Sequence, residues 1–225
     1  MSPFGRPTRL VPAVALASLA ATLIACGPAR SSSAAASARE RAYRESNVGV
    51  ARLEQFDYRE AAAAFRRALA IDPSLSIAHL DLAIALFYDS QLDEAEREAR
   101  LAADAMPSAP QPPYVRGLIA RAAGRDDDAA AAFGRVLAID PRDVGARIER
   151  GQLLVAQRNY ADAAALFEQA LAAEPFNATA AYGVAIALTR GGRAAAGRDA
   201  MARFQRLRDN PASITYDNVY MGQGR

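Results

Sequence analysis

NVGVARLEQFDYREAAAAFRRALAIDP, residues 47–73, sets a small residue, Gly49, ahead of a stripe of Ala61, Phe65 and Ala68, and closes on Asp72-Pro73. The rest of the chain copies that pattern. Prolines return at Pro73, Pro107, Pro141 and Pro175, each 34 residues after the last, and Ala61, Ala95, Ala129 and Ala163 keep the same step. A fixed period of this length in an alanine-rich, helix-favouring sequence predicts an all-α fold, in which helical hairpins stack in a row and share a continuous core. The local chemistry agrees: Gly49 and Ala61 let two antiparallel helices approach closely, and Phe65 fills the space between hairpins. Pro73 ends the second helix because it has no amide hydrogen to donate.

The order of a small residue, then Ala, three spacers and an aromatic, then Ala and Pro, resembles the tetratricopeptide repeat. The resemblance implies a right-handed superhelical array of antiparallel helix hairpins, about five of them, each with a helix A and a helix B. The units run over residues 42–75, 76–109, 110–143, 144–177 and 178–211. In the second, Ala99 stands where the first has Phe65, so its bulk is expected from Leu82, Leu86 and Leu101. Pro110, Pro112 and Pro113 crowd the entrance of the third, placing the start of its helix A at or after Pro112. Gly124 is expected to end that helix, and Asp126, Asp127 and Asp128 to open the next, where the helix dipole favours negative charge. The fourth is regular, with Gly151, Ala163, Phe167 and Ala170; the fifth has drifted to Gly197, Met201, Phe204 and Asp209. Such drift suits an array's end, and Arg193, Arg198, Arg203, Arg206 and Arg208 there read as a solvated face.

Composition removes several function classes. All 27 basic residues are Arg, so no Lys serves as nucleophile, Schiff-base former or phosphate-loop cation. The net charge of +2 is matched by Arg6 and Arg9 in a segment expected to be cleaved off, so the mature chain would be near neutral, which gives no support for nucleic-acid binding. His79 is the single histidine and reads as a packing or rim residue. No His/Cys metal spacing, glycine-rich phosphate loop or Ser-His-Asp set can be assembled, so no enzyme, metal or cofactor is expected. Asn177-Ala178-Thr179 fits a glycosylation sequon but reads as a polar residue at a helix start.

Residues Met1 to Arg9 carry two Arg and no acid, Leu10 to Ala25 carry no charge, and the run ends LIAC at Leu23 to Cys26. The spacing resembles the bacterial lipobox. That implies cleavage before Cys26, acylation of its thiol, and an address in the bacterial cell envelope, lipid-anchored at the outer membrane and facing the periplasm. Sixteen uncharged residues, many of them Ala, fall short of the ~20 apolar residues of a spanning helix. The expected organisation is a signal peptide over 1–25, a lipidated Cys and flexible tether over 26–37, the array over 38–211 opened by a capping box of Ser37 and Glu40, and a capping or truncated helix over 212–225 patterned on Ile214, Tyr216, Val219 and Tyr220.

Function then rests on surface. Leu82, Ala83 and Leu86 of the second helix A are assigned to the face towards helix B, so the opposite stripe, Ile77, Leu80, Ile84 and Phe87 with Tyr88 beside it, is expected to line an apolar concave groove. Neighbouring units add Tyr43 and Leu53, Tyr114 and Leu118, Ile148 and Val155, and Tyr182 and Ile186. The expected activity is that of a non-enzymatic scaffold that takes a protein or peptide partner of the envelope and sits on the membrane through its N-terminal lipid. The other reading is a structural module of a larger secreted or envelope polypeptide, since the tail ARFQRLRDNPASITYDNVYMGQGR resembles the end of repeat modules that precede FG-GAP propellers. The carboxylate clamp of chaperone adaptors is not matched, because its positions carry Ser46, Val50, Asp81, Gln111 and Val115.

Overall fold

The computed structural model describes residues 28–215, with side chains from residue 36 onward. Ten helices follow one another: α1 (Pro28–Glu54), α2 (Tyr58–Ile71), α3 (Ser76–Tyr88), α4 (Leu92–Ala105), α5 (Gln111–Ala122), α6 (Asp126–Ile139), α7 (Val144–Ala156), α8 (Tyr160–Ala173), α9 (Ala178–Arg190) and α10 (Ala194–Arg208). They pack pairwise into five hairpins, and each hairpin packs on the next. The odd-numbered helices are the helices A and the even-numbered ones the helices B. Among the described residues the fold is an all-α solenoid.

The turns show why the period is strict. Each A-to-B turn holds one left-handed residue at the same place in the repeat: Phe56, Ser90, Gly124, Arg158 and Gly192, with φ between 60° and 81°. The next amide then reaches back five residues, from Asp57 to Arg52 (3.0 Å), Gln91 to Leu86 (2.9 Å), Arg125 to Ala120 (2.9 Å), Asn159 to Leu154 (2.8 Å) and Arg193 to Leu188 (2.9 Å). These bonds satisfy carbonyls that the end of helix A would otherwise leave open. At the B-to-A junctions a nitrogen-bearing side chain meets the proline carbonyl. His79 Nε2 lies 3.2 Å from the carbonyl oxygen of Pro73, Arg135 donates to Pro107 at 3.4 Å, and Arg147 donates to Pro141 at 2.6 Å.

The core is built from matched pairs. Phe65, Phe133 and Phe167 are completely or almost completely buried. A methyl group added to Gly49 would stand 2.5 Å from the Phe65 ring, one on Gly117 2.6 Å from Phe133, and one on Gly151 2.7 Å from Phe167. The second hairpin pairs Ala83 with Ala99 instead, both wholly buried. A large ring therefore goes with an absent side chain, and a small residue with a small one.

Several expectations are corrected. Helix α1 already runs from Pro28, so Ser37 lies inside it instead of capping it, and the Ser/Ala stretch expected as tether is helical from residue 28 on. Alanine explains this, because it loses nothing in a helix and serine costs only tenths of a kcal/mol. Helix α5 starts at Gln111, with Pro112 and Pro113 both in its first turn, where a missing amide costs nothing. Leu101 is exposed, and the bulk around Ala99 comes from Leu82 and Leu86 joined by Val115 and Ile119 of the next hairpin. Ile214 is extended: its amide donates to Phe176 (2.9 Å) and its carbonyl accepts from Ala178 (2.8 Å), forming a bridge to Asn177. Cys26, the residues before it, and residues 216–225 lie outside the described residues.

Asn177 is completely buried; its Oδ1 accepts from the amide of Ala180 at 2.8 Å and its Nδ2 donates to Glu174 at 2.8 Å. The sequon asparagine is thus the N-cap of α9. Asp143 caps α7 in the same way, accepting from Ala146 at 2.6 Å.

Candidate functional site

The stripe of helix A expected to line the groove divides in two. Tyr43, Ile77 and Tyr182 are exposed at 40%, 41% and 47%, and Phe87, Tyr88, Val155 and Ile186 are half-buried. Leu53, Leu80, Ile84, Tyr114, Leu118 and Ile148 are buried, Leu80 to 3% and Ile148 to 1%. For these six the expectation of an open apolar groove is corrected, because neighbouring helices A pack side by side. Leu80 and Ile84 share a cluster with Val115 and Ile119 of α5. Ile148 packs with Val184 and Leu188 of α9. The Tyr114 ring meets the Phe133 ring edge-on at 5.5 Å, and its hydroxyl would stand 2.9 Å from a methyl group placed on Gly145. What stays open is an apolar patch over the first two helices A, where Tyr43 and Ile77 hold equivalent places and Val50 joins them, and a second at Tyr182 near the other end.

At the C-terminal end of α3, away from Ile77, the aromatic residues form a continuous series. Tyr58 stacks on Tyr88 at 4.9 Å, Tyr88 meets Phe87 at 5.1 Å, and Phe56 stands edge-on to Tyr58 at 6.4 Å. Asp89, which follows α3, receives Gln91 at 2.6 Å and Arg59 at 3.1 Å, and these hydrogen bonds hold its carboxyl below the usual range. At the second patch the Tyr182 ring leans on Phe204 at 5.2 Å, beside a cleft of about 440 Å³ lined also by Thr179, Arg208 and Ser213.

Two acids lie deeper on helices A. Glu149 of α7 is buried and pairs with Arg121 at the end of α5. Burial pushes its carboxyl up, and Arg121 pulls it part of the way back. Asp81 of α3 holds the equivalent place in the second hairpin, and burial alone pushes it up to about 6. Neither acid was singled out as a site from the sequence, although their spacing by two repeats was readable there. His79 binds Glu98 of α4 through Nδ1 at 2.6 Å, and so ties α3 to α4 as Arg147 ties α7 to α8 through the carbonyl of Gln169 at 3.1 Å.

Among the described residues no three His, Cys, Asp or Glu side chains converge as they would on a metal ion, and no helix is long and apolar enough to cross a membrane. Asp126, Asp127 and Asp128 open α6, where Arg125 reaches Asp128 at 3.0 Å.

A family model described as "Tetratricopeptide repeat" matches residues 49–110, 80–144 and 148–212. No curated protein matches the chain. Among solved structures, that of MamA protein superposes with a TM-score of 0.68 at 15% identity, over 76% of this chain and 93% of the other. The Pseudomonas aeruginosa pilF structure gives 0.67 at 20% identity, over 77% and 78%. PilW, described as a widely conserved type IV pilus biogenesis factor, gives 0.67 at 22%, over 75% and 78%. At these identities the likeness is one of fold.

Proposed function

Because the chain belongs to the tetratricopeptide repeat family, we propose that it is a lipid-anchored scaffold of the bacterial envelope that takes a protein or peptide partner on its helices A and performs no chemistry itself. The observation that carries this reading is the open apolar patch of Tyr43, Val50 and Ile77, because large apolar side chains at equivalent places on adjoining helices expose a surface that water disfavours. Tyr43 within it supplies a rigid, amphipathic contact of the kind that dominates binding energy at interfaces. Two of the similar folds, pilF and PilW, are pilus-related by name, and a third is described as having an unusual peptide-binding site. The address is supported by the LIAC stretch at Leu23 to Cys26.

Capture from native membranes tests both halves. Cys26→Ala is expected to leave an unprocessed precursor whose mass shows no acylation, whereas the native protein partitions into detergent. Tyr43→Asp with Ile77→Asp is expected to abolish recovery of the partner with only a small fall in the melting temperature, since both side chains lie at the surface and outside the buried core. Unchanged recovery would remove this patch as the binding surface, and a wild-type protein that stays aqueous would remove the anchor.

A further inference from the structure

The repeat places an acid at the same point of the second and fourth hairpins, and the chain itself shows what one of them accepts. In the fourth, Glu149 receives the guanidinium of Arg121, which comes from the end of the preceding helix A. Two repeats earlier the acid is Asp81 and the residue in the place of Arg121 is Leu53. Among the described residues Asp81 makes no ion pair or hydrogen bond through its side chain, yet none of its side-chain oxygens is cut off from solvent. It is flanked by the buried Leu80 and Leu82, and Leu53 packs in the same apolar cluster.

A carboxylate held among apolar side chains is costly unless a cation meets it. We propose that Asp81 is the seat for an arginine side chain of the partner, entering between α1 and α3 where Arg121 enters between α5 and α7. Access follows from helix geometry. Ile77 lies one turn before Asp81 on the same face of α3, and Val50 one turn before Leu53 on α1, and both are exposed. An apolar segment laid over Val50, Ile77 and Tyr43 would therefore hold an arginine above Asp81. Guanidinium suits the place better than ammonium, since it is less strongly hydrated and offers a planar fork of donors to a carboxylate. The inference rests on the scaffold reading above and narrows its partner to an apolar segment that carries an arginine.

The test titrates the full chain with an amidated Leu-Leu-Arg-Leu-Leu peptide and with the same peptide carrying norleucine for arginine. The arginine peptide is expected to bind the unaltered chain at least tenfold more tightly. Asp81→Asn should erase that preference by removing the anion. Leu53→Arg should erase it too, by supplying the internal cation seen in the fourth hairpin. Equal binding of the two peptides to the unaltered chain, or an arginine preference that survives both substitutions, would overturn the seat. If the native partner is captured through Tyr43 and Ile77 but the peptides bind equally, the seat alone fails. If capture also fails, the scaffold reading fails with it.

Discussion

The second hairpin and the fourth carry the same frame and fill it differently. Both put a nitrogen-bearing side chain at the fourth position of helix A, His79 or Arg147, to join the proline carbonyl behind it to the helix B in front. Both put an acid two positions later. The fourth then buries Phe167 against Gly151 and closes Glu149 with Arg121, whereas the second sets Ala99 against Ala83 and leaves Asp81 open. The small residues and turns thus fix the period, and the pairs between them decide how tightly each hairpin is sealed. A solenoid tolerates such variation because each unit contacts only its neighbours, so a looser hairpin does not unseat a distant one.

The largest effect should come from the ring. Phe167→Ala is expected to cost about 3–5 kcal/mol, since it opens a cavity between Gly151 and Gly183 that their backbones cannot fill. The reverse change in the second hairpin, Ala99→Phe, should cost about 1–3 kcal/mol by overpacking against Ala83, and Ala83→Gly should restore part of it. Chemical denaturation measures all of these. An Ala99→Phe protein of unchanged stability would mean that the second hairpin has room the matched pairs do not require.

Acidity separates the hairpins next. Burial pushes the Asp81 carboxyl from the ordinary 3.8 up to about 6, so the folded state holds its proton more tightly than the unfolded chain. Stability from this group is therefore full below about 4 and falls as pH rises through about 6. Asp81→Asn should remove that fall and raise stability at pH 7 by roughly 1–2 kcal/mol, with little change at pH 4. Melting curves at the two pH values decide it. An equal gain at both would show that the substitution acts through packing and not through charge.

How much of this was legible follows from where each property resides. The period, the helix ends at the prolines and the buried Phe65, Phe133 and Phe167 are local to one repeat, and the sequence displays them directly. The groove was not legible in the same way. Helix α3 is apolar on both sides, so its pattern alone does not separate the face packed on its own helix B from the face packed on the next helix A. Leu80 and Ile84 are buried in a cluster that takes in residues of both α4 and α5. Alanine-rich composition also hid the start of α1, since Ser and Ala suit a tether or a helix equally well. Asp81 and Glu149 differ only in a partner from the preceding hairpin, which becomes visible once the repeats are overlaid and each acid is read together with the residue before it.

The smallest effect concerns the fifth hairpin, where the comparison meets its missing term. Ala181 stands in the place of His79 and Arg147 and faces Ala200, leaving a cleft of about 670 Å³ walled by Glu168, Leu171, Val184 and Arg203. Among the described residues no Arg or His side chain reaches the Pro175 carbonyl, although its counterparts at Pro73, Pro107 and Pro141 each meet one. Ala181→Arg should lay its stem along Leu171 and Val184 and bring its head to that carbonyl, as Arg147 does at Pro141. The expected gain is about 0.5–1 kcal/mol, modest because the cleft is open and the new side chain loses rotamer freedom. Ala181→Leu serves as the control, since it fills apolar volume without a donor. If Leu stabilises as much as Arg, the cation at this position acts as filler. If Arg alone stabilises, the bond to the proline carbonyl is what seals a hairpin onto the one before it.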